Sequence, residues 1–129
     1  MLSLAFTTPL AAALSIGSAQ LTIDGETTTH TISVCELAAE GSMPARILIE
    51  EKDLTLNLVQ ADHMQSISII QDNTNWTASR LKMGETWMDQ GKPGDPIIVE
   101  WGESIRVEAL LGSGRAGKEK AVKLTAKCR

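Results

Sequence analysis

Few side chains in this chain have the types and spacing that chemistry needs: Cys35 and Cys128, His30 and His63, and carboxylates such as the adjacent Glu50 and Glu51. Nucleophilic catalysis needs a base held against a hydroxyl or thiol by the fold. His30 sits in a Thr-rich run that reads as an edge strand, and His63 in the polar turn Gln60-Ala61-Asp62-His63. Both read as solvated surface residues rather than general bases. No G-x-S-x-G elbow is present. Gly112-Ser113-Gly114-Arg115-Ala116-Gly117-Lys118 looks superficially like a phosphate loop, but it precedes a strand and lacks the Lys-Ser/Thr pair. Glu50 and Glu51 are neighbours in a turn, where water keeps their pKa values together. Two cysteines and two histidines at no ligand spacing do not make a zinc motif. Asn75-Trp76-Thr77 matches the glycosylation sequon, a match common by chance. The residues therefore predict no catalysis, no metal and no cofactor. A minor enzyme built on an unrecognised carboxylate, with Asp95 and His63 as the side chains to substitute, is the rival of a different class.

The elements that must position these side chains begin with the N-terminus. Residues 1–19, MLSLAFTTPLAAALSIGSA, contain no charged side chain. Leu10 to Ile16 resembles the apolar core of an export signal, and Gly17 and Ala19 are small residues at −3 and −1 of a cut before Gln20. The segment lacks the basic n-region of a typical signal, and Pro9 interrupts a run too short for a comfortable membrane span. An N-terminal membrane anchor and an apolar strand of the domain are the alternatives. The reading is a signal over 1–19 and one domain over 20–129. Export would place Cys35 and Cys128 in an oxidising compartment, where the pair can bond and close nearly the whole domain; two free thiols are the alternative.

The remaining sequence is of globular type, being 43% hydrophobic, with aliphatic residues along most of its length. With three Trp, one Phe and no Tyr, the core must be aliphatic. The net charge of −4 argues against a dedicated nucleic-acid binder, which would show a basic stripe.

Hydrophobic residues recur with period two. Val122, Leu124, Ala126 and Cys128 alternate with Lys123, Thr125 and Lys127, and Ile105, Val107 and Ala109 with Arg106 and Glu108. Leu54, Leu56 and Leu58 behave alike, as do Ile47 and Ile49; 66–70 and 76–81 are further strands. Leu21-Thr22-Ile23 runs into Asp24-Gly25, a hairpin signal, with a returning strand expected over Thr29–Cys35. Parity is awkward there: Ile32 and Val34 share a face that excludes Cys35, so the strand ends early or bulges. Val34 to Glu40 is the one passage that could be helical. Residues 89–96, with two prolines and two glycines, read as a long breaker. The sum is an all-β fold, an antiparallel β-sandwich or partly open barrel of about eight to nine short strands, closed by one disulfide.

Trp76, Trp87 and Trp101 read most simply as filler whose indole N–H reaches a backbone partner at the sheet rim. The functional reading places Trp87 and Met88 on the Gly/Pro loop over 84–96 as an exposed apolar contact for a partner or lipid. Arg115 and Lys118, in the flexible basic connection 112–118, complete the candidate partner contacts.

The order of these features resembles the mycobacterial LpqH-type lipoprotein antigen family. Leu21-Thr22-Ile23-Asp24-Gly25, the Val34-Cys35 shortly after it, the series of short strands, and Lys120 through Cys128 carry the resemblance, which spans nearly all of 20–129. It implies an exported, surface-associated, non-enzymatic β domain with a Cys35–Cys128 bridge, antigen-like, in periplasm, cell surface or medium. The family's lipidated cysteine has no counterpart in Gly17-Ser18-Ala19-Gln20, so lipid anchoring does not carry over. The acidic, Lys-containing strands also differ from the family's Gly/Ser/Thr-rich ones. The expected function is a non-catalytic binding or structural domain whose partner is a protein or envelope component, with membrane or cell-wall association open. The alternative is a small secreted inhibitor or immunity-type protein that blocks an exported enzyme through 84–96 or 112–118.

Overall fold

The computed structural model describes residues 16–114 and 118–129. Within them the alternating runs form twelve strands and no helix: β1 (Gly17–Ile23), β2 (Glu26–Thr31), β3 (Val34–Glu36), β4 (Ala45–Glu50), β5 (Thr55–Ala61), β6 (Met64–Gln71), β7 (Thr74–Met83), β8 (Thr86–Asp89), β9 (Lys92–Pro93), β10 (Ile98–Glu100), β11 (Ser104–Gly112) and β12 (Glu119–Cys128). Nine of them lie in one antiparallel path, β2-β1-β12-β11-β7-β6-β5-β4-β3, while β10 flanks β11 and the β8–β9 hairpin flanks β7. The all-β expectation holds. The path curls into a half-barrel, and its middle link is thin: β11 and β7 share only the pair Gly112↔Thr77.

The period-two residues build the core. Val122, Leu124 and Ala126 of β12 are buried beside Ile105 and Val107 of β11 and Ala19 and Leu21 of β1. Opposite them lie Ile47, Ile49, Leu56, Leu58, Ile67 and Ile69 of β4–β6, all at most 1% exposed. Among the described residues no aromatic side chain is fully buried, so the core is aliphatic.

The turns explain the register. Asp24 and Gly25 both have positive φ, 50° and 90°, the geometry a two-residue hairpin needs to match strand twist. Gln90 and Gly91, at 53° and 82°, do the same for β8 and β9. The breaker expected over 89–96 is therefore a tight hairpin turn followed by a short connection to β10.

Three expectations need correction. The return strand is Glu26–Thr31, not Thr29–Cys35. It stops because the chain changes sides: Ile32 N–H donates to Gly17 O, and Ser33 N–H donates to Leu48 O. Two residues thus carry the backbone from β1 to β4 and reset the parity, so Cys35 in β3 packs against the core cluster. Second, Val34–Glu40 is not helical, because β3 pairs with β4 from Val34↔Leu48 to Glu36↔Arg46. Third, the folded sheet starts before Gln20. Gly17, Ser18 and Ala19 pair with Cys128, Lys127 and Ala126, and Ala19 is core.

Gly17 is there because nothing larger fits. A Cβ at this position would run into Lys127 O, Cys128 Cα and Ile32 Cδ1. Backbone cannot yield as a flexible side chain can, so Gly17→Val is expected to destabilise by roughly 1–3 kcal/mol. A melting curve checks this; one that overlays the wild type contradicts the packing.

Candidate contact surface

The structure separates Trp87 and Met88 from Lys118. Trp87 and Met88 lie in β8, paired with Lys82 and Leu81 of β7. They are half-buried strand residues and not a mobile loop. The Lys82 ammonium sits 5.7 Å from the Trp87 ring centroid, a cation–π distance. Lys118 is exposed just before β12, whose first residue pairs with Gly112 and so lies at the level of Thr77. That is several residues along β7 from the β8 pairing. Arg115 lies outside the described residues.

The indole expectation holds at the rim for Trp101, whose Nε1 donates to Leu37 O at 2.9 Å. Trp76 packs against the core and carries Lys120 4.8 Å above its ring.

Pairing extends Met88 into a surface feature that the candidate list missed. Paired residues share a face, so Ala61↔Met64, Met64↔Leu81, Leu81↔Met88 and Met88↔Pro93 form one apolar row across β5–β9. Leu81 and Met83 are 58% and 67% exposed. The sequence holds a signal for this row, since Leu81 and Met83 break the alternation that keeps the outward face of β7 polar at Asn75, Thr77 and Ser79.

A polar seam opens where β7 and β11 diverge. Arg80 faces inward beside Gln65 across β6–β7, its side chain only 13% exposed. Its Nε donates to Asp95 O at 3.0 Å and its Nη1 to Ser79 O at 2.8 Å, with Asp89 Oδ1 at 3.5 Å. Gln65 is buried, and its Oε1 accepts from both Ile97 N–H at 2.9 Å and Ile98 N–H at 3.2 Å. The two side chains thereby fix the segment 95–98 that leads into β10. An open groove of about 610 Å³ lies over the seam, lined by Arg80, Asp95, Glu108, Leu110 and Lys123 among others.

His30 is not a solvated side chain. It is 11% exposed and stands in a hydrogen-bond chain: Thr28 Oγ1 lies 2.6 Å from Nε2, and Glu51 Oε1 lies 2.7 Å from Nδ1. Glu51 Oε2 also accepts from Thr31 N–H at 3.2 Å. Hydroxyl, imidazole and carboxylate in this order are the parts of a relay. Here they tie edge strand β2 to the β4–β5 turn. The imidazole hydrogen bond is the largest influence on the Glu51 carboxyl and, helped by the Thr31 N–H and the His30 charge, holds it below its ordinary range against the opposing effect of desolvation. A depressed folded-state pKa means stability that is present above the unfolded value, about 4.3, and lost as pH falls through the folded one. Glu51→Gln is expected to melt slightly below wild type at pH 7, with the gap closing below about pH 4. A gap that persists at pH 3 contradicts this. His63 is exposed in its turn, as expected.

Among the described residues no group of three or more His, Cys, Asp or Glu is placed to hold a metal ion. The two cysteines do meet: Cys35 and Cys128 form a disulfide with Cα atoms 6.4 Å apart. It joins β3 to β12, the last strand of one limb of the curl to a strand near the end of the other. Neither a protein-family model nor a curated protein matches this chain.

Proposed function

We propose that this chain is an exported, non-catalytic domain of the cell envelope that binds or braces a partner through a rigid β surface. The observation that carries the reading is the Cys35–Cys128 disulfide, which closes a sequence separation of 93 residues. Such a bond persists where the surroundings are oxidising and is rare where glutathione keeps thiols reduced. The uncharged stretch 1–15 and the resemblance to LpqH-type antigens support the same compartment. The ordered polar groups support a scaffold role: Gln65, Arg80 and His30 each bond groups of the fold itself. Fractionating the producing cells tests the reading. The protein is expected outside the cytoplasm with its thiols blocked, and a reduced cytoplasmic pool contradicts it. Retention of an exported hydrolase on the immobilised protein would favour the inhibitor alternative instead.

A further inference from the structure

We propose that one end of the domain docks on a lipid bilayer through exposed aliphatic side chains, an inference that rests on the envelope reading above. Ile16, Leu37, Met43, Leu81 and Met83 are all exposed. Their neighbours connect them into one end of the half-barrel. Arg129 N–H donates to Ile16 O, and the next pair, Gly17↔Cys128, leads through the disulfide to Cys35, two residues before Leu37. Leu37 holds the Trp101 indole and shares with Met43, Ala61 and His63 a shallow pocket of about 430 Å³. Lys82 N–H donates to His63 O, which brings the end of β7 to the same turn, and Ala61 opens the apolar row to Met64 and Leu81.

Sheet edges and loop rims of a water-soluble domain normally avoid such a collection. What decides the occupant is the chain that joins here. Residues 1–15 carry no charged side chain and enter the fold at Ile16, on this end. The uncharged lead-in and the exposed aliphatic side chains at its point of entry favour the same apolar occupant, and the Trp101 indole at this end is a ring of the kind favoured at membrane interfaces. Ile70 and Leu110, also exposed, lie away from it: Ile70 pairs with Thr55 and Asn75 at the far ends of β5 and β7, and Leu110 with Ala121.

Flotation of the full chain with zwitterionic phosphatidylcholine vesicles tests the proposal. Leu81→Ser combined with Met83→Ser is expected to lower the vesicle-bound fraction roughly tenfold or more, since each side chain loses its transfer from water. Met43→Ser should act in the same direction, and Ile70→Ser with Leu110→Ser should leave binding unchanged. All of these positions are exposed, so melting curves should overlay and thereby verify the fold. Wild-type tryptophan emission should shift to the blue on vesicles. Equal binding by all variants, no flotation of the wild type, or a dimer that the Leu81/Met83 pair dissolves would each overturn the proposal. An exported, oxidised protein that fails to float sinks the docking surface alone; a reduced cytoplasmic protein that floats sinks the envelope reading alone.

Discussion

Replacing Cys35 with serine is expected to lower the melting temperature by on the order of 10–20 °C, the largest effect of any single change outside the core. The closed loop has a sequence separation of 93 residues. Constraining an unfolded chain over that length is worth roughly 4–5 kcal/mol in the chain-entropy model, and measured values run about 2–4 kcal/mol. For a domain near this size each kcal/mol moves the midpoint by about 4–8 °C. The location of the bond adds to the argument. Hydrogen bonding between the two limbs of the curl is thin at β11–β7, with the single pair Gly112↔Thr77. On the opposite side, among the described residues, they are joined by scattered bonds: the crossing at Ile32 and Ser33, the bonds of His30 and Thr31 to Glu51, and the Trp101 indole on Leu37 O. The disulfide holds that second side. Cys128→Ser should match Cys35→Ser, and the double variant should be no worse than either, because one bond is lost in all three. Melts with and without reductant measure this. An unchanged midpoint contradicts the account.

Gln65→Leu is the second large effect, expected to cost roughly 2–4 kcal/mol although it makes the core more apolar. Gln65 Oε1 is the acceptor for the Ile97 and Ile98 N–H groups, and both residues are buried. Leucine fills the space but leaves two donors without a partner, each costing about 1–3 kcal/mol. Gln60, whose Oε1 accepts from Gln65 Nε2 at 3.1 Å, loses its bond as well. The readout that separates this from general loosening is amide exchange. Ile97 and Ile98 should lose protection more than Ile67 or Ile69 of β6. Uniform loss across the sheet would assign the cost to packing instead.

The strands were legible because the alternation is strict where one face is buried. Val122 to Cys128, Ile105 to Ala109, and Leu54 to Leu58 each read in the sequence as they stand in the fold. The Asp24-Gly25 hairpin was legible for a local reason, positive φ at both residues. What failed was everything decided by distant partners. The crossing at Ile32 and Ser33 depends on Gly17 and Leu48, so no window around Cys35 could show why the parity resets. The β8–β9 hairpin was hidden by Pro93 and Gly94, which resemble a breaker, although Pro93 ends a two-residue strand at a sheet edge and Gly94 N–H donates to Trp87 O just beyond it. His30 looked like any threonine-flanked histidine until Glu51 was brought against it. The apolar row through Met64, Leu81, Met88 and Pro93 draws one residue from each strand, and pairing alone assembles it.

The account stands or falls on the covalent tie between the two limbs of the sheet. The decisive measurement is intact mass after alkylation of protein taken from its producing cells without reductant. The account predicts no label on Cys35 or Cys128 until a reducing agent is added, then label on both. Two labelled thiols in the untreated, folded protein would contradict it.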